Sequence, residues 1–474
     1  MANNPKPIPE NENPLATVWI LAWPAVALNA LQTINSLLDS YFVQHLSGDA
    51  LTAIGAATTT LWLLVSLSMA VGVAATAMVS RAFGENDPEK YREANRKCLG
   101  FSVLFGFLLT GFAVPLSNPA TQFVIPPDAP GAAKLMLQYL TIVAFVLPPS
   151  FIIQTLAGSL RGIGDTKSPM VISGLQILLH IILNYLLIFP AHDLGWIVVP
   201  GANLGLAGAA WALVISAWIA ALIYLWFSTR TPLGEVWRIK LPGLDWTKRI
   251  LRIAAPAGLM SVVRVTSLFA FFAVLRWVPD GKIAIGAVRP GFSIEALAFM
   301  PSFGLAVAAS ALVGQSLGMK RPDRASALGW MAAHQAGIVS AVVALGLFIF
   351  ADPISRFVLA DQPEFAAFTA QYLRYVSTTE VLFGYAMVLI SAMQGAGDTV
   401  RPFWITLTCM WFIRVPLAAI LSLQTLSLGP LVLPFSGFGM GADGCWLTLT
   451  ITQAIQGLVC IYYWRQGKWK LAKV

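Results

Sequence analysis

Long apolar runs alternate with short polar connectors along the chain, and that alternation predicts its elements. Runs of helix-spanning length fall near 16–45, 53–82, 97–117, 134–159, 168–190 and 205–228. A basic connector follows from Thr229 to Arg252, and six more runs fall near 253–277, 284–317, 326–350, 366–393, 401–425 and 437–464. Each run is about 20 residues or longer, enough for a helix to cross about 30 Å of hydrocarbon with some tilt. The pattern predicts twelve transmembrane helices.

Composition agrees with this. The chain is 57% hydrophobic and only 11% charged, with a mean hydropathy of +0.73. A water-soluble surface needs about 25% charged residues, so most of this surface must meet lipid. The net charge of +8 does not point to nucleic acid, because the basic residues sit in short loops between apolar runs. The loops after runs 2, 4, 6, 8 and 10 carry Lys90, Arg92, Arg96, Lys97, Arg161, Lys167, Arg230, Arg238, Lys240, Lys248, Arg249, Lys320, Arg321, Arg324 and Arg401. The tail adds Arg465, Lys468, Lys470 and Lys473, whereas the opposite loops hold little beyond Lys134, Arg276, Lys282 and Arg356. Positive loops stay on the cytoplasmic face. Both termini are therefore expected to be cytoplasmic, in a multi-pass protein of the inner (plasma) membrane. The N-terminal stretch MANNPKPIPENENP lacks the apolar middle of a signal peptide, so the run from Ala16 is expected to be a retained first span. Cys98, Cys409, Cys445 and Cys460 are scattered, which suggests neither a disulfide frame nor a zinc site.

The chain also repeats itself. VGVAATAMVSRAFGENDPEKYREA (71–94) matches FGLAVAASALVGQSLGMKRPDRASA (303–327), pairing Gly84 with Gly318 and Pro88 with Pro322. SLRGIGDTKSP (159–169) matches AMQGAGDTVRP (392–402), pairing Asp165 with Asp398 and Pro169 with Pro402; Pro24 likewise pairs with Pro256. The offsets (24 to 256, 165 to 398, 84 to 318) all lie between 232 and 234. Two six-helix halves in the same orientation imply a pseudo-twofold axis along the membrane normal, an arrangement that places substrate between the halves. The expected division is a cytoplasmic tail 1–15, an N-lobe 16–228, a cytoplasmic linker 229–252, a C-lobe 253–465 and a cytoplasmic tail 466–474.

These residues carry a family resemblance. LRG-x-GDT-x-x-P, its echo GAGDTVRP, and E-x-LAFMPSFGLAVAASALVGQSLG resemble the multidrug and toxin extrusion (MATE) family, as do FIRVPLA (412–418) and LGLAGAAWA (204–212). The first half and span 8 look nearer to its DinF-like branch. The resemblance implies an all-α membrane fold of two six-helix bundles set in a V. It also implies alternating access, with efflux driven by inward proton or sodium flow. No cofactor is implied beyond that coupling ion. The implied partners are an amphipathic, cationic small molecule and the lipid bilayer, not nucleic acid, and the protein is expected to be a monomer.

A charge inside the bilayer costs about 2.5–3.5 kcal/mol on insertion scales, so intramembrane ionisable groups are functional candidates. Asp39 lies deep in span 1, within NSLLDSYFVQ. The resemblance implies that this aspartate binds the coupling cation. A carboxylate suits that task because burial favours its protonated form, making the charge conditional on which side the cavity opens. In span 5 the family usually presents an Asn and, four residues later, an Asp; here those positions hold His180 and Asn184, one turn apart on one face. Leu213 stands where the family has a cavity threonine. Sodium prefers several hard oxygen ligands, and this set is poor in them. A proton shared between Asp39 and His180 is expected instead. The alternatives are sodium coupling, and a His180 that only hydrogen-bonds within a helix interface.

In the second half Arg264 stands eight residues past Pro256, where a related branch has a cation-binding glutamate. Glu380 lies one turn before a position often acidic in the family, here Phe383. Glu295 and Arg414, in matched motifs, are expected to pair as buried charges. Arg264 either pairs with Glu380 or faces the cavity and favours anionic or zwitterionic substrates. Trp62, Phe269 and Met300 are weaker candidates for a substrate cavity.

Two other readings compete with export. A lipid-linked precursor flippase of the related superfamily would suit the arginines, although the paired GDT loops are unusual there. A membrane prenyl-diphosphate transferase would need clustered aspartates for magnesium diphosphate, and no D-D-x-x-D occurs. No P-loop is present for ATP-driven transport. The chain is expected not to be an enzyme.

Overall fold

The computed structural model describes residues 13–474, except 45, 127, 194–197, 235, 429–430 and 473. Most of the expected N-terminal tail, and Lys473 of the basic tail, lie outside these described residues. In the first half, α1 (Pro14–Gln44), α2 (Gly48–Gly84) and α3 (Pro88–Val124) are followed by α4 (Pro130–Val143) and α5 (Leu147–Gly162), then α6 (Lys167–Ile188) and α7 (Leu206–Ser228). The second half holds α8 (Leu244–Leu275), α9 (Gly281–Gly318), α10 (Pro322–Ile349), a short α11 (Ala351–Val358), α12 (Pro363–Ser377), α13 (Glu380–Gly395), α14 (Val400–Leu407), α15 (Val415–Ser422) and α16 (Ala442–Gln466). Eleven of the described helical segments are long and apolar enough to cross a membrane; α12 and α13, bent by 61° at their junction, make a twelfth. Helices satisfy their own backbone polar groups, which is what hydrocarbon demands.

Local chemistry sets the ends. Asp87 caps α3 by accepting from the Glu89 and Lys90 amides at 3.2 Å, and Pro88 follows in the first turn, where a missing N–H costs nothing. The fifth and eleventh spans stop short of their apolar runs, at Ile188 and Ser422. The chain there turns extended, at Phe189 before Pro190 and at Leu423. Two hairpins follow at corresponding places: β1 (Pro190–Asp193) with β2 (Val198–Ala202), and β3 (Thr425–Leu428) with β4 (Leu431–Ser436), both antiparallel.

The tenth run, read from sequence as one helix, breaks instead. Thr378 and Thr379 turn their hydroxyls onto the carbonyls of Tyr375 (2.7 Å) and Val376 (3.3 Å), competing with the helix ladder. The fourth span breaks at the equivalent place through a tighter turn at Ala144–Val146, followed by Pro148 and Pro149. Different residues produce one backbone event.

The pseudo-twofold is written into the backbone. Asn86 and Lys320 both have positive φ (56° and 59°), and so do Gly164 and Gly397 (90° and 91°). In the two GDT turns Gly164 N donates to Arg161 O and Asp165 N to Leu160 O; Gly397 N donates to Gln394 O and Asp398 N to Met393 O. Each is a helix end closed by a left-handed glycine. In the first turn the Asp165 side chain also accepts from Ser168 N at 2.9 Å at the start of α6.

The halves meet at the end that carries these turns. The Ala70–Gly84 half of α2 and the Gly304–Gly318 half of α9 are almost wholly buried, whereas the remainder of each is open on one face. The contact is reciprocal. A Cβ on Gly84 would lie 2.1 Å from Gln315 O, and one on Gly318 would lie 2.0 Å from Arg81 O; 81 and 315 are themselves repeat equivalents. Only glycine lets the backbones approach this closely without a hydrophobic force between helices. Gln315 Nε2 also crosses between the halves to Gly162 O at 2.9 Å.

Candidate functional site

Two four-residue spacings face each other in the first half. On α1, Asn35 and Asp39 lie one turn apart; on α6, so do His180 and Asn184. Asn184 Nδ2 donates to Asp39 Oδ1 at 2.7 Å, and Asn35 Nδ2 donates to Asp39 Oδ2 at 3.1 Å. His180 Nδ1 lies 3.2 Å from Asn35 Oδ1 and 3.8 Å from Asp39 Oδ1. His180 and Asn184 are buried, while a third of the Asp39 side chain stays accessible. Asp39 therefore has two amide donors, a nearby imidazole and an open side. The Asn184 Oδ1 atom is buried without a hydrogen-bond partner among the described residues.

Asn35 and His180 also line a cavity of about 250 Å³ that extends among α1, α2, α5, α6 and α7. Gln32, Gln154 and Gln176 give it polar walls, and Leu213 adds an apolar one. Sequence reasoning named Asp39, His180 and Asn184 but missed Asn35. The signal was available, since an amide one turn before a membrane acid is placed to solvate it.

The second-half candidates do not form the expected pair. Among the described residues Arg264 and Glu380 make no ion pair. Glu380 faces the Glu295 carboxyl instead, both side chains being buried. Tyr372 donates its hydroxyl to Glu295, and Gln453 Nε2 approaches the other Glu295 oxygen at 3.4 Å. Neither Glu380 oxygen meets a donor among the described residues. Arg414 ends a π-helical turn, Thr408–Arg414, and its Nε donates to Thr452 Oγ1 at 3.0 Å. It acts on Glu295 through space without closing an ion pair among the described residues. Tyr372 and Gln453 belong to no motif, so nothing in the sequence marked them. Of the weaker cavity candidates, Trp62 and Phe269 are exposed and Met300 is half-buried.

The MatE family model matches the chain twice, over residues 24–186 and 256–420. This chain belongs to the MatE family. The two matches open on the paired prolines, Pro24 and Pro256, and together cover most of both lobes. A probable multidrug resistance protein NorM of Thermotoga maritima is 25% identical over 456 residues, covering 95% of this chain and 92% of its own length. The NorM relative of Deinococcus radiodurans is 27% identical over 476 residues, with 97% and 96% covered. The fold matches a multidrug resistance MATE family transporter of the MOP superfamily in an outward-facing conformation, with a TM-score of 0.84, 20% identity and 96% of each chain covered. A MatE protein is a multi-pass membrane transporter for small molecules and not an enzyme.

Proposed function

We propose that the protein exports amphipathic small molecules across the inner membrane by alternating access, in exchange for inward protons carried by Asp39. Its relatives' names speak of multidrug resistance, and that reading is extended here to this chain. The observation that carries the coupling role is the setting of Asp39. It is a membrane carboxylate held by two amide donors at an inter-helical pocket, beside an imidazole and a polar cavity. A carboxylate so placed gains and loses a proton as its surroundings change between wet and dry. The basic loops favour cytoplasmic termini, an orientation in which the closed GDT end faces the cytoplasm and the open faces of α2 and α9 face outward. Protonation of Asp39 would remove the charge that the two amides solvate, favouring rearrangement of α1 against α6.

Sodium coupling draws support from one observation, the unpartnered Asn184 Oδ1, a hard oxygen beside a carboxylate. Purified protein in vesicles separates the two readings. Proton coupling predicts dye transport driven by a pH gradient and abolished by a protonophore. Transport driven by a sodium gradient alone, and indifferent to protonophore, overturns it.

A further inference from the structure

The inward face of α8 follows a strict alternation of three and four: Ile253, Ala257, Met260, Arg264, Ser267, Phe271 and Val274. Every member is buried except Arg264, which stays more than a third accessible in the middle of the stripe. A long side chain that stays accessible on the packed face of a helix opens toward a gap within the protein. Gly258, which packs on Ala70 and Leu67 of α2, marks the seam between the lobes. Arg264 stands six residues beyond it, about 9 Å along the helix toward the open end.

Its guanidinium makes no hydrogen bond or ion pair among the described residues; only its backbone carbonyl is engaged, by Ser267 Oγ at 3.0 Å. The side chains electrostatically linked to it are the Cys460 thiol and the Arg414 guanidinium, and neither is a carboxylate. The two buried glutamates of the lobe are committed to each other. Glu295 is taken by Tyr372 and Gln453, and Glu380 finds no donor and faces Glu295. Two carboxyls face to face in an apolar interior cannot readily both be ionised, so neither is free to act as a counter-ion for Arg264. A guanidinium fork matches carboxylate or phosphate oxygens.

We propose that Arg264, with Arg414 beside it, forms an anion-binding subsite in the C-lobe that receives the carboxylate or phosphate of an amphipathic molecule. This extends the export reading above and revises its substrate class. An arginine without a counter-ion in this lobe disfavours the cationic compounds expected from sequence and suits anionic or zwitterionic ones. The negative Asp39 pocket then lies in one lobe and the positive pocket in the other.

The test is equilibrium binding to the purified full chain, with no gradient, so its outcome does not depend on proton coupling. The probes are a fluorescent long-chain carboxylate and its methyl ester. The wild type is expected to bind the carboxylate about tenfold or more tightly than the ester, the worth of one charged hydrogen-bonded contact. Arg264→Gln removes the preference, and Arg264→Lys keeps part of it. Equal wild-type affinity for acid and ester overturns the subsite even if Arg264→Gln fails to fold, as does undiminished preference in a folded Arg264→Gln. Nanodiscs with and without phosphatidylglycerol identify the source of the oxyanion. Competition by that lipid assigns the subsite to a headgroup, and its absence assigns it to a free substrate; both outcomes support an oxyanion site.

Discussion

The two lobes share a backbone and differ in their interiors. The N-lobe holds one acid, Asp39, solvated by the Asn35 and Asn184 amides beside His180. The C-lobe interior holds two arginines and a facing pair of glutamates. What the repeat preserves is what the chain path requires: the left-handed glycines 164 and 397, the positive-φ pair Asn86 and Lys320, and the helix-start prolines 88 and 322. A duplicated scaffold thus keeps its turns and seams while its polar interior diverges. Chemistry is not constrained by the backbone in the way a turn is.

The largest break in this comparison comes from Asp39→Asn. Asparagine keeps the volume and can still hydrogen-bond, but it cannot carry a proton across. Cells expressing the wild type are expected to accumulate less dye than cells lacking the protein. Cells expressing the variant should match those lacking it, with the purified protein still folded. Efflux at the wild-type level in the variant would remove Asp39 from the mechanism. No single C-lobe acid is expected to match this loss, because Glu295 and Glu380 are held in a buried pair.

Next in size is the seam. Gly84 and Gly318 each face the backbone of the other lobe, so Gly84→Val and Gly318→Val should destabilise the closed end similarly, by about 1–3 kcal/mol as over-packing does. Thermal unfolding in detergent measures it. A large effect at one glycine and none at the other would contradict the reciprocal contact.

Sequence made the twofold and the spans visible because lipid imposes a long, simple pattern and because paired glycines and prolines mark the repeat. Where side chains rather than apolar length decided the structure, the pattern was silent. The break before Glu380 depends on threonine hydroxyls that an apolar run hides, and the hairpins after α6 and α15 depend on a local switch to extended backbone. The site divided in the same way. Asp39, His180 and Asn184 were legible as polar residues in apolar helices. The Glu295–Glu380 partnership was not, because it joins α9 to α13 over 85 residues of chain, and side-chain depth cannot be read along a sequence.

A smaller effect sharpens the N-lobe side. His180 touches Asn35 and lies near Asp39, so His180→Gln retains a hydrogen-bonding partner for Asn35 while removing an ionisable group. The expected outcome is transport that persists with a flatter dependence on pH, measured in vesicles over the range where histidine titrates. An unchanged pH profile would reduce His180 to a structural bond and leave Asp39 alone in the proton path.

The smallest expected effect tests whether the two GDT turns are equivalent in energy as well as in shape. Asp165 accepts from the amide and the hydroxyl of Ser168, at 2.9 and 2.6 Å. Asp398 accepts more weakly from Arg401 N, at 3.4 Å, and pairs with the Arg401 guanidinium. Loss of a helix-start cap costs about 1 kcal/mol, and a partly exposed ion pair adds between zero and about 1 kcal/mol. Asp165→Ala and Asp398→Ala should therefore lower stability by similar amounts for different reasons. Added salt separates them: it should weaken the Asp398 contribution and leave that of Asp165 nearly unchanged, because only the former depends on a screened charge pair. Equal salt sensitivity at both turns would mean that the ion pair, prominent in the structure, contributes nothing beyond the cap.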